Sequence, residues 1–277
     1  MHIKNVVVIA TDKQSMEDMM HTAQKLNINV EGKKIWNGPI PDNSYEDLGN
    51  HVRMSTPEFF FLRKANEVSF LEAVHIGIEL CGKHVTKLTM PSIGDEWGFL
   101  KQSRTNTLKI REYLAEISDT DAGKNALNVL DYVIDDVSTP FDAYLYMMLH
   151  IPKKHGGAGL PMPDVSAAYE NDHEFMPPSY GKFLAYDICW RDIRIAIQYV
   201  TNADKKDITA LFADEMLVFI IDKHTMQDTE LLKDTLNNAA MCVTGEKNAI
   251  TDEILGNFEI PKFDNMQLTF GDLFSHA

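Results

Sequence analysis

Apolar positions recur in two spacings along the chain, and these predict alternating strands and helices. The segment Lys4–Ala10, which is continuously apolar from Val6, predicts a short buried strand, and amphipathic spacing after Asp12 or Ser15 predicts a helix to about Leu26. Residues 35–52 are rich in Pro, Asn, Gly and Asp, a composition that predicts loop. This loop would separate a small leader from the rest of the chain.

Helix-start chemistry recurs through the middle of the chain. In Ser55-Thr-Pro-Glu58 a hydroxyl can cap, proline fits the first turn, and glutamate suits the positive end of the helix dipole. Thr139-Pro-Phe-Asp142 repeats this pattern. The helices predicted in this way cover residues 59–66, 69–80, 104–118, 121–134 and 139–150.

Three apolar runs in the last third of the chain predict strands. Two of them, Phe183–Trp190 and Ile193–Val200, are predicted to be adjacent strands. The third, Met216–Asp222, is a continuous apolar run, which predicts a strand that is buried on both faces. The remaining segments predict loop over 152–161, a hairpin-like connection over 170–181, a short helix or turn over 207–214, a helix over 225–241, a turn over 252–257 and a loose C-terminal tail.

The order of these elements predicts an α/β fold in two parts. Residues 1–118 would form a mainly helical N-terminal region with a leader strand, and residues 119–277 a small mixed β-sheet flanked by helices.

Charge and cysteine usage narrow the function classes. The 277-residue chain carries 41 acidic and 26 basic residues, a formal charge of −15, so strong non-specific DNA binding is disfavoured. Cys81, Cys189 and Cys242 form no C-x-x-C, which predicts reduced core thiols in a cytoplasmic protein. The sequence has no apolar run long enough to span a membrane and no signal-peptide pattern.

Two short motifs favour structural readings. Asp119-Thr-Asp-Ala-Gly123 resembles the start of a calcium loop, but its twelfth position is Leu130, so helix capping is favoured. His155-Gly-Gly-Ala-Gly159 resembles the oxyanion loop of esterases, yet the chain has no G-x-S-x-G nucleophile motif, so a turn is favoured.

One set of polar residues predicts a site for a hard cation. Asp142 lies in the first turn of a predicted helix, Asp187 in a predicted strand, and Gln198 in the next strand. Two carboxylates would hold Mg²⁺, which would polarise a scissile phosphate and activate water. Each of the three residues, taken alone, is also explained by a purely structural role.

Four groups of segments carry a resemblance to a known family: Ser55–Ala65 with Ile76–Gly82, Tyr132–Asp135 with Thr139–Leu149, Gly156–Pro163, and Tyr186–Tyr199. Through them, residues 55–228 resemble a bacterial restriction-endonuclease-like family of the PD-(D/E)XK superfamily. That family is related to short-patch-repair-like nuclease domains and is often encoded near mobile or defence genes. The resemblance implies a nuclease domain preceded by a helical module, with metal-binding positions at Asp142, Asp187 and Gln198.

The chain departs from the family at its chemical positions. The family core usually reads W-P-E followed by E-Y-D, whereas here Arg191 and Asp192 follow the tryptophan. Gln198 replaces the metal-binding glutamate and Val200 the final aspartate, while Asp142 stands where glutamate is usual. The segment after the core, residues 201–207, is shortened and has no arginine. The resemblance therefore implies a vestigial site.

Three functions follow as expectations. The first is a catalytically impaired nuclease-fold protein with a binding or regulatory role in a mobile-element or phage-defence setting, holding no cofactor or only weakly bound Mg²⁺ at Asp142 and Asp187. The second is an active Mg²⁺-dependent DNA endonuclease whose missing ligand has moved to Asp192, Asp204 or Asp207. The third is an acidic protein–protein interaction module that recognises a basic partner and has no nucleic-acid role.

Overall fold

The computed structural model describes residues 5–10, 13–25, 29–47, 53–90, 97–170, 183–200 and 216–258. The chain divides into two compact units, and the main division falls after Val133. Two short segments, 82–84 and 99–101, group with the second unit. The first unit thus extends beyond residue 118, where the sequence predicted the boundary.

The first unit begins with a strand–helix–strand motif. Strand β1 (Asn5–Ala10) and helix α1 (Lys13–Lys25) lie close to their predicted positions. Strand β2 (Asn29–Ile35), which was not predicted, pairs in parallel with β1. The sequence of β2 contains Glu, Gly and two Lys residues and therefore has no continuous apolar run.

The segment predicted as loop over 35–52 contains secondary structure. Strand β3 (Tyr45–Asp47) pairs antiparallel with β4 (Arg53–Ser55), so the loop prediction is wrong at residues 45–47. These strands have three residues each, which is too short for an alternating pattern to predict them.

Four helices build the rest of the first unit. Thr120 caps α5 as predicted, because its hydroxyl oxygen accepts a hydrogen bond from the Gly123 N–H at 3.1 Å. The calcium-like fragment is therefore a helix start. The helices are α2 (Pro57–Glu67), α3 (Phe70–Cys81), α4 (Thr107–Ala115) and α5 (Asp121–Leu130), with the two-residue strands β5 (His84–Val85) and β6 (Gly98–Phe99) between α3 and α4. Their buried side chains include Phe59, Phe61, Leu62, Ile76, Ile78, Ile110 and Leu114.

The second unit contains a four-stranded mixed sheet in the order β10-β9-β8-β7. The first three strands in sequence form an antiparallel meander, and β10 runs parallel to β9. Adjacency of the strands at 183–190 and 193–200 was predicted correctly; β7 was not predicted. Helix α6 (Pro140–His150) is followed by β7 (Asp164–Glu170), β8 (Phe183–Trp190), β9 (Ile195–Val200) and β10 (Leu217–Asp222).

Strand β10 is an edge strand among the strands described. It pairs with β9 only, Leu217 is 51% exposed, and Ile221 alone in the strand is buried. The expectation that this strand is buried on both faces is therefore wrong. A run of apolar residues predicts a hydrophobic strand, but it does not predict how many strands pair with it.

The helical segment predicted from residue 225 is divided in two. Helix α7 (Lys223–Gln227) ends at Asp228, whose carboxylate then accepts from the Leu231 N–H at 3.1 Å and caps α8 (Thr229–Thr244). A last short helix, α9 (Asp252–Gly256), matches the predicted turn. The predictions for 171–181 and 207–214, and that for the C-terminal tail, lie outside the described residues.

The three cysteines form no disulfide among the described residues, and they differ in burial. Cys81 and Cys189 are buried, as predicted, whereas Cys242 is exposed on α8, so the core prediction is wrong for that residue. No helix within the described ranges is long and apolar enough to cross a membrane.

Candidate functional site

The sheet register places two of the predicted site residues opposite each other. Strands β8 and β9 are antiparallel, with Ile188 paired to Ile197. This is the last pair of the β8–β9 ladder, and continuing the register by one residue sets Asp187 against Gln198. Directly opposed residues share a sheet face. The sequence prediction that adjacent strands bring these two side chains together is consistent with this register.

Ser166 extends this pair into a row across three strands. In β7, Val165 pairs with Ile188 and Ala167 pairs with Tyr186, so Ser166 lies opposite Asp187. We call Ser166, Asp187 and Gln198 the cross-strand row. Neighbouring strands are about 4.8 Å apart, so the backbone of the row spans about 10 Å.

Asp142 is connected to this row through Ser166. Its carboxylate oxygen Oδ2 accepts a hydrogen bond from the Ser166 hydroxyl at 2.8 Å and another from the Thr139 N–H at 3.3 Å. Thr139 Oγ1 in turn accepts from the Asp142 N–H at 3.2 Å, which completes a capping box at the start of α6. The capping chemistry that begins the helix therefore also holds the carboxylate beside β7.

One oxygen of Asp142 has no hydrogen-bond partner among the described residues. The side chain is only 3% exposed, both of its donors reach Oδ2, and Oδ1 is buried and unpaired. Burial raises the pKa of Asp142 to about 6, although the hydrogen bonds from Ser166 and Thr139 act in the opposite direction. In the described part of the chain, no ion pair involves this carboxylate.

Gln198 also presents a buried oxygen. Its amide Nε2 donates to the Tyr199 carbonyl at 3.0 Å, and because a carbonyl only accepts, this contact fixes the orientation of the amide. The other end, Oε1, is buried without a hydrogen bond to any described residue. The Asp187 carboxylate accepts a hydrogen bond from the Tyr199 N–H. The side chains of Asp187 and Gln198 therefore both bond to the backbone of Tyr199.

These contacts give the site a defined chemistry. Asp142 Oδ1 and Gln198 Oε1 are acceptors, so only a cation or a hydrogen-bond donor can satisfy them. Leaving a buried acceptor unsatisfied costs about 1–3 kcal/mol, which makes each of these two atoms informative. Asp187 is partly buried and adds a second carboxylate. Carboxylate and amide oxygens are the ligand types that a hard divalent cation takes.

The carboxylates considered as replacement ligands do not complete this site within the described structure. Asp192 is exposed in the turn Arg191–Ile193 after β8, more than about 10 Å along the strand from Asp187. Asp204 and Asp207 lie outside the described residues. Of the described residues, no group of three or more His, Cys, Asp and Glu side chains is arranged to hold a metal.

Ser166 is the site residue that sequence reasoning missed. Its strand has a polar start and no long apolar run, so β7 was not predicted. A single serine in Asp164-Val-Ser166 carries no signal of its own. Only the register and the hydrogen bond to Asp142 identify it.

The glycine-rich loop after α6 is a helix terminus. The N–H groups of Ala158, Gly159 and Leu160 donate to carbonyl oxygens at the end of α6, at 2.8, 2.9 and 2.8 Å. Amides used in this way are not available to an oxyanion, so the turn interpretation of 155–159 is confirmed. A Cβ on Gly157 would lie 2.2 Å from the Ile151 carbonyl oxygen, which explains glycine at that position.

A second buried carboxylate, in the first unit, has a structural role. Glu79 is fully buried and accepts from the Thr86 N–H at 2.6 Å, from the Thr86 hydroxyl at 2.8 Å, and from the Thr89 hydroxyl. An Arg104 nitrogen lies 3.7 Å from it. Because its oxygens are occupied by donors of its own unit, Glu79 offers no open coordination position.

Comparison of the chain with protein-family models, with curated proteins and with solved structures gives no match. The cross-strand row, Asp142 and the resemblance of the sequence segments that contain them are therefore the features that bear on function.

Proposed function

We propose that this protein is a nuclease-fold protein that has lost phosphodiester cleavage, binds a divalent cation weakly at Asp142 and Asp187, and acts through binding or regulation. The observation that carries the proposal is that Asp142 Oδ1 and Gln198 Oε1 are both buried with no hydrogen-bond partner among the described residues.

The arrangement of elements supports the nuclease-fold part of the proposal. A helix start, two adjacent antiparallel strands and a following parallel strand occur in one unit, and the first three carry Asp142, Asp187 and Gln198. These are the segments whose sequences resemble the restriction-endonuclease-like family. In such a site the cation would polarise a phosphate and activate water when bound.

The replacement of a carboxylate by Gln198 supports the loss of cleavage. Mg²⁺ requires hard anionic oxygens in near-octahedral geometry, and a neutral amide lowers the charge of the site by one. Val200, at the position of the family's last acidic residue, is 4% exposed and packs in an apolar cluster with Tyr186 and Ala196. It provides neither a metal ligand nor a base.

The net charge supports a role in recognition. At −15 the chain repels the phosphate backbone at long range, whereas a working nuclease gains from a basic groove. A basic protein partner fits this charge better than bare duplex DNA. The setting in mobile-element or phage-defence systems follows from the sequence resemblance alone.

The decisive measurement is Mn²⁺ titration by calorimetry on the wild type, Gln198→Glu and Asp187→Asn. We expect weak binding by the wild type, none by Asp187→Asn, and at least about tenfold tighter binding by Gln198→Glu, equivalent to about 1.4 kcal/mol. Asp192→Asn is the matched control, since it removes an exposed carboxylate away from the row. If Gln198→Glu gains no affinity, the proposed site is wrong.

Cleavage assays separate this proposal from an active endonuclease. Single- and double-stranded DNA and RNA are incubated with the wild type in Mg²⁺ or Mn²⁺, and we expect no product. Cleavage that disappears in Asp187→Asn and persists in Asp192→Asn would overturn the loss of activity and establish a working site built on the same residues.

A further inference from the structure

Ser166 has a backbone conformation that strands rarely contain. Its φ angle is 49°, in the left-handed region that disfavours residues with a Cβ, although it lies inside β7. Such conformations persist where the surrounding contacts impose them, and they concentrate at functional sites. The contacts made by this serine therefore identify what holds it there.

The unusual conformation interrupts the sheet at one position. Val165 and Ala167 keep their partners in β8, but Ser166 and Asp187, which lie opposite each other in the same register, are not a ladder pair. Irregularities of this kind commonly re-aim one side chain near a functional site. Here the interruption lies directly opposite a predicted metal ligand.

The Ser166 hydroxyl connects β7 to the start of α6 through two hydrogen bonds. The hydroxyl oxygen accepts from the Ser138 N–H at 3.4 Å, and the hydroxyl O–H donates to Asp142 Oδ2 at 2.8 Å. The Thr139 N–H donates to the same oxygen of Asp142. Because both donors use Oδ2, the carboxylate keeps Oδ1 as its unpartnered oxygen.

We propose that Ser166 is the positioning residue of this site: it fixes the rotation of the Asp142 carboxylate so that Oδ1 is the oxygen presented to a ligand. This inference rests on the proposed function for its ligand, a divalent cation. Outer-shell hydrogen bonds of this kind orient metal-binding carboxylates, and their removal costs about 10- to 100-fold in metal affinity.

The variants are chosen to separate positioning from folding. Ser166→Gly removes the hydroxyl and permits a positive φ, so it relieves the backbone conformation rather than adding strain. Ser138→Ala is the matched control, because Ser138 contributes only its backbone N–H to the chain of hydrogen bonds. We expect both variants to fold, because relief of the positive φ in Ser166→Gly offsets part of the cost of the lost hydrogen bond.

The first readout is independent of metal. Crystal structures of the wild type, Ser166→Gly and Ser138→Ala in chelator show the rotation of the Asp142 side chain. We expect it to change in Ser166→Gly only. An Asp142 carboxylate that keeps its orientation in Ser166→Gly would overturn the inference, whatever the metal measurements show.

The second readout is Mn²⁺ affinity in the Gln198→Glu background, where binding is strong enough to compare variants. We expect Ser166→Gly to weaken it by about 10-fold or more while Ser138→Ala leaves it unchanged. Equal affinity with and without the hydroxyl would also overturn the inference. If the Gln198→Glu background itself gains no affinity, the proposed function fails, and the metal-free structures still decide the role of Ser166.

Discussion

Replacement of Asp142 by asparagine tests whether the buried carboxylate destabilises the metal-free fold. The pKa of this carboxyl is raised from 3.8 to about 6, because burial disfavours its charged form. The difference of about 2.2 pH units, at 1.36 kcal/mol each, corresponds to about 3 kcal/mol. Asparagine is neutral at every pH, and its side-chain oxygen can still accept from the Thr139 N–H.

The direction of the stability change with pH follows from the difference in proton binding between the native and unfolded states. A carboxyl whose pKa is raised by folding binds its proton more tightly in the native state, so native stability is greatest below pH 3.8 and falls as the pH rises through 6. The wild type and Asp142→Asn should therefore differ little near pH 4. Above pH 7 the variant should be more stable by about 3 kcal/mol.

The assay is urea denaturation from pH 4 to pH 8 in chelator, with Asp192→Asn as an exposed-carboxylate control. The experiment is repeated with Mn²⁺, which should stabilise the wild type and leave Asp142→Asn unchanged, because a ligand that binds only the native state raises its stability. Parallel pH profiles for the wild type and Asp142→Asn would refute the reasoning and leave Asp142 as a capping residue alone.

Two further predictions address the loop and the surface. Gly157→Ala places a methyl group 2.2 Å from the Ile151 carbonyl oxygen and should cost about 1–3 kcal/mol, whereas Gly256→Ala, with nothing within 4 Å, should be neutral; equal melting temperatures would contradict this. With a charge of −15, the chain should bind duplex DNA more weakly than about 10⁻⁴ M at physiological salt in fluorescence anisotropy. Micromolar, steeply salt-dependent binding would reveal a basic groove.

Helix starts could be predicted from the sequence because capping is local. Thr56, Thr120 and Thr139 each cap the helix that their sequence predicts, since the cap and its N–H partner are three residues apart. The adjacent strands β8 and β9 were likewise predicted, because a short turn between two apolar runs brings them together. That adjacency is the basis of the prediction that Asp187 and Gln198 lie close together.

Only the tertiary structure identified the strands that lack an apolar signal. Strands β2 and β7 are each stabilised by pairing with a strand elsewhere in the chain, and that partner is not encoded in their own residues. For the same reason, the apolar run of β10 did not reveal that it has one neighbouring strand among those described.

The sequence by itself determined which residues are candidates for the site, and the tertiary structure decided what their atoms do. Asp142, Asp187 and Gln198 carry recognisable chemistry in recognisable local elements. Asp142 Oδ2 accepts a hydrogen bond from Ser166, which lies 24 residues further along the chain at an interruption in the sheet. Hydrogen bonds between distant segments fix such details because they depend on register, which no local pattern of residues contains.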